Sequence, residues 1–257
     1  MAVKGAILCG GIGKRFRPLS FYLQKVMVPV GKLEKPLLEY TVRLFKYYNV
    51  YDLVFLVGYK YNQIINYFGD GSRFGVNIRY VRDPEEYKGN GAALYNAYLK
   101  GVISEEDTII VYYGDILSNI NLKEMLEFHN KASVTLAVSK GYRVPVGVIN
   151  VKDHKIVKVE EKPVIEMPVF IGVLIMEGLI LPKVKELIDK GKKKIDIIGD
   201  ILPLILSMGL EAKAYIFDGF WYDVGSLEKF EKLENDYVDK ALGFLFREER
   251  ETQRKAL

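Results

Sequence analysis

The fold is decided by a short stretch near the start of the chain, residues 3–18, whose sequence is VKGAILCGGIGKRFRP. Its first six residues are mostly apolar and are followed by glycines at positions 10, 11 and 13. A short apolar run that stops at glycines is typical of a buried β-strand followed by a tight loop. The sequence therefore predicts a first strand over residues 3–8, with a glycine loop at its carboxyl end.

Strand and helix patterns alternate after this loop through the first half of the chain. The predicted helices are residues 36–47, 61–68 and 91–99, and the predicted strands are residues 53–57, 76–81 and 108–112. An order of βαβαβαβ implies a parallel sheet covered by helices on both faces.

The second half is richer in strand patterns. Strands are predicted at residues 134–138, 146–151, 156–159, 169–176 and 212–217, and helices at 178–190, 196–207 and 227–241. We therefore expect an α/β fold, a Rossmann-like doubly wound mixed sheet with a β-rich insertion over one end. One domain is expected over residues 1–240, in two parts at about 1–130 and about 131–225. Residues 241–257 form a charged C-terminal tail.

Composition excludes several classes of protein. The chain has 257 residues, 49% hydrophobic and 27% charged, which is typical of a folded globular protein. Its single cysteine, Cys9, allows no intramolecular disulfide and suits a reducing compartment such as the cytoplasm. The longest apolar run, residues 169–176, is far shorter than the roughly 20 residues of a membrane helix. The glycines soon after the start also argue against a signal peptide.

The net charge and the number of histidines disfavour further kinds of site. Lys and Arg number 37 and Asp and Glu 33, and a net charge of +4 is too small to predict nucleic-acid binding. The only histidines, His129 and His154, are expected to be solvent-exposed, so zinc sites and Ser-His-Asp triads fit poorly. Any catalysis must rely on Lys, Arg, Asp, Glu and backbone amides.

The glycine loop is a candidate phosphate site. Consecutive glycines allow backbone N–H groups to point into one concavity, and Lys14, Arg15 and Arg17 follow directly. The alternative is a sharp turn with solvated cations. A dinucleotide fingerprint fails because Phe16 occupies its third glycine position. The spacing of a Walker loop is also absent.

The loop and the segments after it resemble another family. Residues 6–20, AILCGGIGKRFRPLS, are similar to the signature L-A-G-G-x-G-T-R-L-x-P-L-T of sugar-phosphate nucleotidylyltransferases, with Lys14 in place of threonine. Residues 25–30 (KVMVPV) and 35–39 (KPLLE) resemble the next family blocks, with Gln24 where proline is common. The resemblance continues, in order, through residues 67–76, 89–94, 114–115, 160–163, 170–173 and 221–226, and so covers about residues 3–235.

The resemblance implies a reaction in which an NTP and a sugar 1-phosphate, such as a glucose or mannose phosphate, give an NDP-sugar and pyrophosphate, with Mg²⁺ as cofactor. The expected partners are these two substrates, with no nucleic acid or membrane, and a homo-oligomer is compatible with the helical region after Trp221. Residues 131–225 would bind the sugar.

The implied catalytic residues are Arg15, Lys25 and Asp115. The implied nucleotide contacts are Gly10, Gly11, Gly13, Lys14, Arg15, Gly89 and Asn90. The implied sugar-phosphate contacts are Gly147, Glu161, Lys162, Gly172 and Val173, and the implied metal ligands are Asp115 and Asp223.

Simpler explanations remain open for several of these residues. Asp115 could cap the segment after its strand, and Glu161 and Lys162 could be an exposed surface pair. Gly147 and Gly172 could mark bulges in strands. At the level of function, the alternatives are a non-catalytic homologue that binds a nucleotide-sugar and a cytidylyltransferase acting on a polyol phosphate. A dehydrogenase is disfavoured by the failed dinucleotide fingerprint.

Overall fold

The structure, a computed structural model, describes residues 2–144 and 146–247. Within them the strands are β1 (Val3–Leu8), β2 (Pro29–Val30), β3 (Lys35–Pro36), β4 (Asp52–Val57), β5 (Asn77–Arg82), β6 (Thr108–Tyr113), β7 (Ile116–Ser118), β8 (Val134–Ser139), β9 (Tyr142–Arg143), β10 (Val148–Lys152), β11 (Lys155–Glu160), β12 (Val164–Ile165), β13 (Val169–Glu177), β14 (Ala212–Ile216) and β15 (Trp221–Asp223).

The α-helices of this part of the chain are α1 (Leu37–Tyr47), α2 (Tyr61–Phe68), α3 (Asn90–Leu99), α4 (Leu122–His129), α5 (Lys185–Asp189), α6 (Leu202–Ser207), α7 (Leu227–Glu231) and α8 (Asn235–Leu242). Short 3₁₀ turns cover Lys14–Phe16, Leu19–Phe21, Lys25–Met27, Ser72–Phe74, Gly178–Val184 and Gly243–Phe246, and a π-helical turn covers Ile197–Ile201. The helix α4 is not among the helices predicted from the sequence. Its N-cap residue, Asn121, accepts hydrogen bonds from the N–H groups of Lys123 and Glu124.

The central sheet has seven strands in the order β14-β8-β13-β6-β1-β4-β5. Strands β6, β1, β4 and β5 are parallel to one another, whereas β13 is antiparallel to both of its neighbours. This arrangement confirms the predicted doubly wound mixed sheet. Because the chain runs from β1 outward through β4 and β5 and then returns to β6 on the other side of β1, the strand order reverses between β1 and β6. Ligands of open α/β sheets bind at such a reversal, outside the carboxyl ends of the strands.

Two apolar clusters cover the two faces of the sheet. One joins the sheet to α1 and the C-terminal helices and includes Phe16, Phe45 and Tyr112, and the other packs around α3 and includes Leu94 and Ile201. Cys9 is buried beside the first cluster, as expected for a small apolar residue. Large apolar surfaces on both faces explain why this sheet can form without disulfides.

The β-rich insertion is narrower than predicted. Strands β8, β13 and β14 extend the central sheet and are not part of a separate layer. Residues 142–144 and 146–165 leave it as the hairpin β10–β11 and the short pair β9–β12, and β15 pairs with β7 outside it. The hairpin is exposed on both of its faces, with apolar side chains such as Ile149 and Ile156 open to solvent.

Two boundaries at the C-terminal end differ from the prediction. The predicted helix over residues 227–241 is divided into α7 and α8, which are separated by residues 232–234. Core packing also includes residues after position 240. Phe246 is buried and packs on Tyr40, with ring centroids 4.8 Å apart. The rest of the predicted tail, residues 248–257, lies outside the described residues.

His129 is buried, contrary to the prediction of a solvated side chain. Its Nδ1 lies 2.7 Å from Thr135 Oγ1 and its Nε2 lies 2.9 Å from Glu177 Oε1, so both ring nitrogens have partners. The imidazole therefore joins α4 to β8 and β13. His154 is exposed in the turn between β10 and β11.

No helix in the described ranges is long and apolar enough to span a bilayer.

Candidate active site

The loop after β1 has its carbonyl groups bound by the rest of the protein. The hydrogen bonds run from Gln24 Nε2 to Cys9 O (2.7 Å) and Gly11 O (3.4 Å), from the Tyr59 N–H to Gly10 O (3.0 Å), and from Ser20 Oγ to Gly13 O (2.9 Å). By contrast, the backbone N–H groups of residues 10–13 donate to no group in the part of the chain that the structure describes. Four successive amide donors are therefore available to an anion.

Gln24 is the residue that organises this loop, and the sequence analysis noted it only as a departure from a family proline. Its side chain is buried, and besides its two donated bonds its Oε1 accepts a hydrogen bond from the Val26 N–H at 2.6 Å. The backbone N–H of Gln24 donates to Gln63 Oε1 at 2.7 Å. A proline could make none of these bonds, since it has neither an amide side chain nor an N–H.

The loop continues into the cationic turn Lys14–Phe16. Gly13 has φ 65°, a left-handed conformation that suits glycine, and it turns the chain so that Lys14 and Arg15 are exposed while Phe16 is buried. Arg15 reaches toward the C-terminal part of the fold. A Cβ added at Gly225 would lie 3.1 Å from Arg15 Nη2 and 2.6 Å from Asp223 Oδ1, so the guanidinium and this carboxylate meet at the same glycine.

Lys25 and Asp115 form an ion pair at the strand reversal. The Lys25 ammonium donates to Asp115 Oδ2, and the two side chains are 14% and 21% exposed. Lys25 lies on the 3₁₀ turn Lys25–Met27, which the Gln24 side chain caps, and Asp115 lies two residues after the end of β6. The fold therefore places a cation and a carboxylate beside the glycine loop, in a partly dehydrated position.

The second predicted metal ligand is brought to Asp115 by strand pairing. Strands β7 and β15 are antiparallel, Asp223 pairs with Ile116, and the Val224 N–H donates to Asp115 O at 2.9 Å. The Asp223 carboxylate accepts a hydrogen bond from the Lys229 ammonium. Asp115, in the turn between β6 and β7, and Asp223, on β15, are thus linked through the backbone, and each carboxylate is paired with a lysine. They are the residues that could hold Mg²⁺, which proteins usually bind through one or two carboxylates together with waters and phosphate oxygens.

A cavity of about 360 Å³ connects these groups, within the size range of small-molecule sites. The glycine, charged, amide and tyrosine residues of its lining are Gly10, Gly11, Gln24, Lys25, Asp83, Gly89, Asn90, Tyr113 and Asp115. It brings together the predicted glycine loop, the ion pair and the predicted loop at residues 89–90. Gly13, Lys14, Arg15 and Asp223 lie outside this lining, on segments that continue from it.

Gly89 and Asn90 are held mainly by the segment after α5. A Cβ at Gly89 would collide with the Ile195 carbonyl, and the φ of Gly89 is +100°. The Asn90 side chain donates to the Tyr113 hydroxyl at 2.7 Å and accepts from the Ile197 N–H at 2.8 Å. Half of the hydrogen-bonding capacity of this amide is therefore used within the protein.

Asp83 is a residue of the cavity that the sequence analysis missed. It follows β5, so it lies at the same edge of the sheet as the glycine loop and Asp115. Burial raises the pKa of its carboxyl group, with Lys88 acting in the opposite direction. A carboxylate directly after a parallel strand was the available signal in the sequence, and it was used for Asp115 alone.

The predicted sugar-phosphate residues lie outside the cavity lining. Gly147 and Glu161 meet at the base of the hairpin β10–β11, where a Cβ at Gly147 would lie 3.0 Å from Glu161 Oε2. Lys162 Nζ is 3.8 Å from Glu161 Oε1, and both side chains are more than half exposed, which is the geometry of a surface ion pair. Glu161 and Lys162 are thus free to contact a ligand, but the fold alone assigns them none.

Gly172 and Val173 are neighbours on β13, but the first is distinguished by its backbone conformation and the second by its buried side chain. Gly172 has φ +84° where the register with β8 shifts, so it marks a bulge. Val173 is fully buried in the core, and its backbone pairs with Tyr112 of β6. The Val173 side chain therefore cannot contact a sugar, because it packs inside the sheet.

Comparison with known proteins agrees with this geometry. The sequence profile of the family described as nucleotidyl transferase matches residues 4–240. The chain is 30% identical to a UTP–glucose-1-phosphate uridylyltransferase of Synechocystis sp., over 98% of this chain and 66% of that protein. It is 27% identical to a mannose-1-phosphate guanylyltransferase of Mycobacterium tuberculosis, over 92% of this chain and 65% of that protein. The chain thus spans about two thirds of the length of these curated relatives.

A solved structure supports the fold independently. The structure of a UDP-glucose pyrophosphorylase complexed with UDP-glucose superposes with a TM-score of 0.69 at 23% identity, covering 93% of this chain and 100% of that one. Since the family profile spans nearly the whole described chain and the glycine loop lies at the strand reversal, this protein belongs to the nucleotidyl transferase family.

Proposed function

We propose that this protein transfers a nucleotidyl group from a nucleoside triphosphate to a sugar 1-phosphate, a hexose 1-phosphate such as that of glucose or mannose, and releases pyrophosphate. The observation that carries the proposal is the row of four N–H groups at residues 10–13, which donate to no group among the described residues and lie directly beside the Lys25–Asp115 pair. Backbone donors and a cation at one edge of a sheet suit a polyphosphate.

The residues present match the demands of this reaction. A sugar phosphate has a second pKa near 6, so at neutral pH its oxygen is already an anionic nucleophile and needs no general base. The barrier comes from bringing two anions together, and it is lowered by positioned positive charge. The side chains that line the cavity include no histidine.

Each group then has a defined task. The N–H groups of residues 10–13 bind phosphate oxygens of the triphosphate, and Arg15 stabilises the departing pyrophosphate. The Lys25 ammonium has three donors, so it can hold Asp115 and a phosphate oxygen at the same time. Lys25 thereby neutralises charge on the phosphate that is transferred. Glu161 and Lys162 bind the sugar hydroxyls and the sugar phosphate.

Asp115 and Asp223 would hold a Mg²⁺ ion, which supplies positive charge to phosphate oxygens when it is bound. The lysines beside these carboxylates, Lys25 and Lys229, keep both charges compensated when the cation is absent. Gly10 and Gly11 also face the ribose and base of the nucleotide. Gly89 and Asn90, which line the same cavity, face the base as well.

Pyrophosphate release tests this function. The purified protein is incubated with Mg²⁺, each of ATP, GTP, UTP, CTP and dTTP, and glucose or mannose 1-phosphate, with polyol phosphates as additional acceptors. We expect release with at least one hexose 1-phosphate, and near-complete loss of release in Asp115→Asn. Nucleotide-sugar binding without any release would indicate a non-catalytic homologue, and release with polyol phosphates alone would replace the hexose assignment.

A further inference from the structure

The Lys229 ammonium occupies a position that the proposed transfer does not explain. It donates a hydrogen bond to Asp223 Oδ2, and Asp223 is one of the two residues that could hold a divalent cation. The proposed reaction uses Lys25 for the transferred phosphate and Lys162 for the sugar phosphate, but it gives Lys229 no contact with a substrate. An ammonium on this carboxylate therefore lies where a metal ion would bind.

The two oxygens of the Asp223 carboxylate have different surroundings. Oδ2 accepts the hydrogen bond from Lys229, and among the residues that the structure describes no other group donates to this carboxylate or forms an ion pair with it. Oδ1 lies at Gly225, where an added Cβ would be 2.6 Å from it. The backbone of Asp223 is fixed by its pairing with Ile116 of β7. The strand thus holds the carboxylate in place, and one lysine compensates its charge.

The backbone of α7 brings Lys229 to Asp223. The Lys229 N–H donates to Ser226 Oγ at 3.3 Å, and the Lys229 carbonyl accepts a hydrogen bond from the Tyr222 hydroxyl at 2.8 Å. Both bonds hold the main chain, so the helix keeps its position whether or not the ammonium stays on Asp223. Within the described ranges, the side chain of Lys229 makes no hydrogen bond besides the one to Asp223.

The lysines beside the two carboxylates differ in their exposure to solvent. The Lys25 side chain is 14% exposed and lines the cavity, whereas that of Lys229 is 38% exposed and lies outside the lining. An ion pair with this much solvent contact is weak, because water solvates the separated charges nearly as well as they solvate each other. The pair of Lys229 with Asp223 is therefore the one that opens more readily.

The side-chain charges of this group already balance without a metal ion. Asp115 and Asp223 each carry a negative charge, and each is paired with the positive charge of a lysine. At Asp223, a divalent cation would meet an ammonium that competes for the same oxygen and repels it electrostatically. Loss of the ammonium would free Oδ2 for the cation.

We propose that Lys229 is an exchangeable counter-cation of Asp223, one that occupies the carboxylate while no metal ion is bound and leaves it when a divalent cation binds. Lys229 thereby weakens the binding of a cation that arrives alone. It favours a cation that arrives with nucleotide phosphates, whose negative charge offsets the added positive charge. The proposal rests on the proposed function only in assigning the divalent cation to Asp115 and Asp223. Lys229 is then a positioning residue that acts through Asp223.

Binding of Mn²⁺ in the absence of any substrate tests this exchange. Mn²⁺ takes the same oxygen ligands as Mg²⁺, and its electron paramagnetic resonance signal measures the free ion in a titration. Lys229→Met should lower the Kd of Mn²⁺ about fivefold, the size of one exposed ion pair. The matched control is Lys232→Met, which removes a positive charge at the C-cap of the same helix, where Lys232 pairs with Glu228. It should leave the Kd unchanged.

Further variants separate this role from a structural one. Lys229→Arg keeps the charge and should keep the Kd of the parent protein, and Lys229→Gln repeats the test if Lys229→Met does not fold. In Asp223→Asn the additional change Lys229→Met should have no effect on the Kd, because Lys229 acts through the lost carboxylate.

An unchanged or higher Kd of Mn²⁺ in the folded Met or Gln variant would overturn the proposal, and so would the same gain in the Asp223→Asn background. Tighter Mn²⁺ binding in Lys229→Met, without pyrophosphate release by the parent protein from any substrate mixture, would support the exchange and refute the proposed transfer. Pyrophosphate release by the parent protein, with no change in the Kd of the variant, would refute the exchange alone.

Discussion

Lys25 and Asp115 lie 90 positions apart in the chain, and the fold joins them in an ion pair beside the glycine loop. Lys25 lies in the segment after β1, and Asp115 lies in the segment after β6. The strand order reverses between these two neighbouring strands, and open α/β sheets bind ligands at such a position. The pair places one positive and one negative side chain where a phosphate would approach the four N–H groups of residues 10–13, which have no acceptor within the described ranges.

The first prediction concerns this pair. Lys25→Met should lower kcat/KM by about 100-fold to 1000-fold, since one preorganised charge contact is lost from the transition state. Steady-state pyrophosphate release measures the effect, and Lys123→Met, which removes an exposed lysine of α4, serves as the control.

The double variant tests whether the two residues act together. If Lys25 and Asp115 work as a unit, Lys25→Met combined with Asp115→Asn should lose little more activity than the worse single variant. Fully additive losses would show that the residues act independently and that the ion pair has no common role.

Gly10 and Gly11 provide a second, matched prediction. A Cβ at Gly10 would collide with the Asp83 carboxylate, whereas a Cβ at Gly11 meets no atom within 4 Å. Because the atoms in the way belong to the end of an exposed side chain that can move, Gly10→Ala should destabilise the fold by no more than about 1 kcal/mol. Gly11→Ala should fold with an unchanged Tm. Thermal unfolding of both variants measures this difference, and equal Tm values would contradict the close contact between Gly10 and Asp83.

Gln24 is expected to be a positioning residue for the loop. Gln24→Leu removes the donor to Cys9 O and Gly11 O and the cap of the Val26 N–H. Leaving such buried groups unsatisfied costs about 1–3 kcal/mol, or a fall in Tm of roughly 2–4 °C per kcal/mol for a chain of this size.

The kinetic effect of Gln24→Leu separates this role from simple stability. Because the loop would lose its orientation, the KM for the nucleotide should rise more than the KM for the sugar phosphate, below the Tm of the variant. Gln63→Leu removes the acceptor of the Gln24 N–H and the donor to Tyr22 O but leaves the Gln24 side chain on the loop, so it should have the smaller effect on nucleotide KM. Equal changes in both KM values would argue against the positioning role.

A buried ion pair away from the cavity makes stability depend on pH. Burial alone would raise the pKa of Asp107, but hydrogen bonds from Lys4 and Ser104 lower it below 3.8. The Lys4–Asp107 distance is 2.6 Å, and the Asp107 side chain is 4% exposed. Since the folded-state pKa is the lower one, the carboxylate stabilises the fold above pH 4 and loses this effect as the pH falls through its folded pKa.

Asp107→Asn should accordingly cost about 1–3 kcal/mol of unfolding free energy at pH 7. The difference between the parent protein and this variant should shrink as the pH falls below about 4. Urea unfolding at a series of pH values measures it. A difference that stays constant down to pH 2 would show that the loss does not come from the charge of Asp107.

Local patterns in the sequence predicted most of the elements correctly. The strand Val3–Leu8 and the helix Tyr61–Phe68 have the predicted bounds, because apolar periodicity and glycines act over a few residues. Predictions were wrong where distant packing decided the outcome. His129, expected to be solvent-exposed, is buried between Thr135 and Glu177.

The sequence by itself determined the glycine loop, its cations and the alternation of strands and helices, since each depends on neighbouring residues alone. Only the tertiary structure decided which side chains share the cavity. Strand order brings Lys25 to Asp115 and Asp83 to Gly10. It also allows the Gln24 side chain to hydrogen-bond the glycine loop. Residues far apart in the chain become neighbours when their strands end at the same edge, and no local pattern records that order.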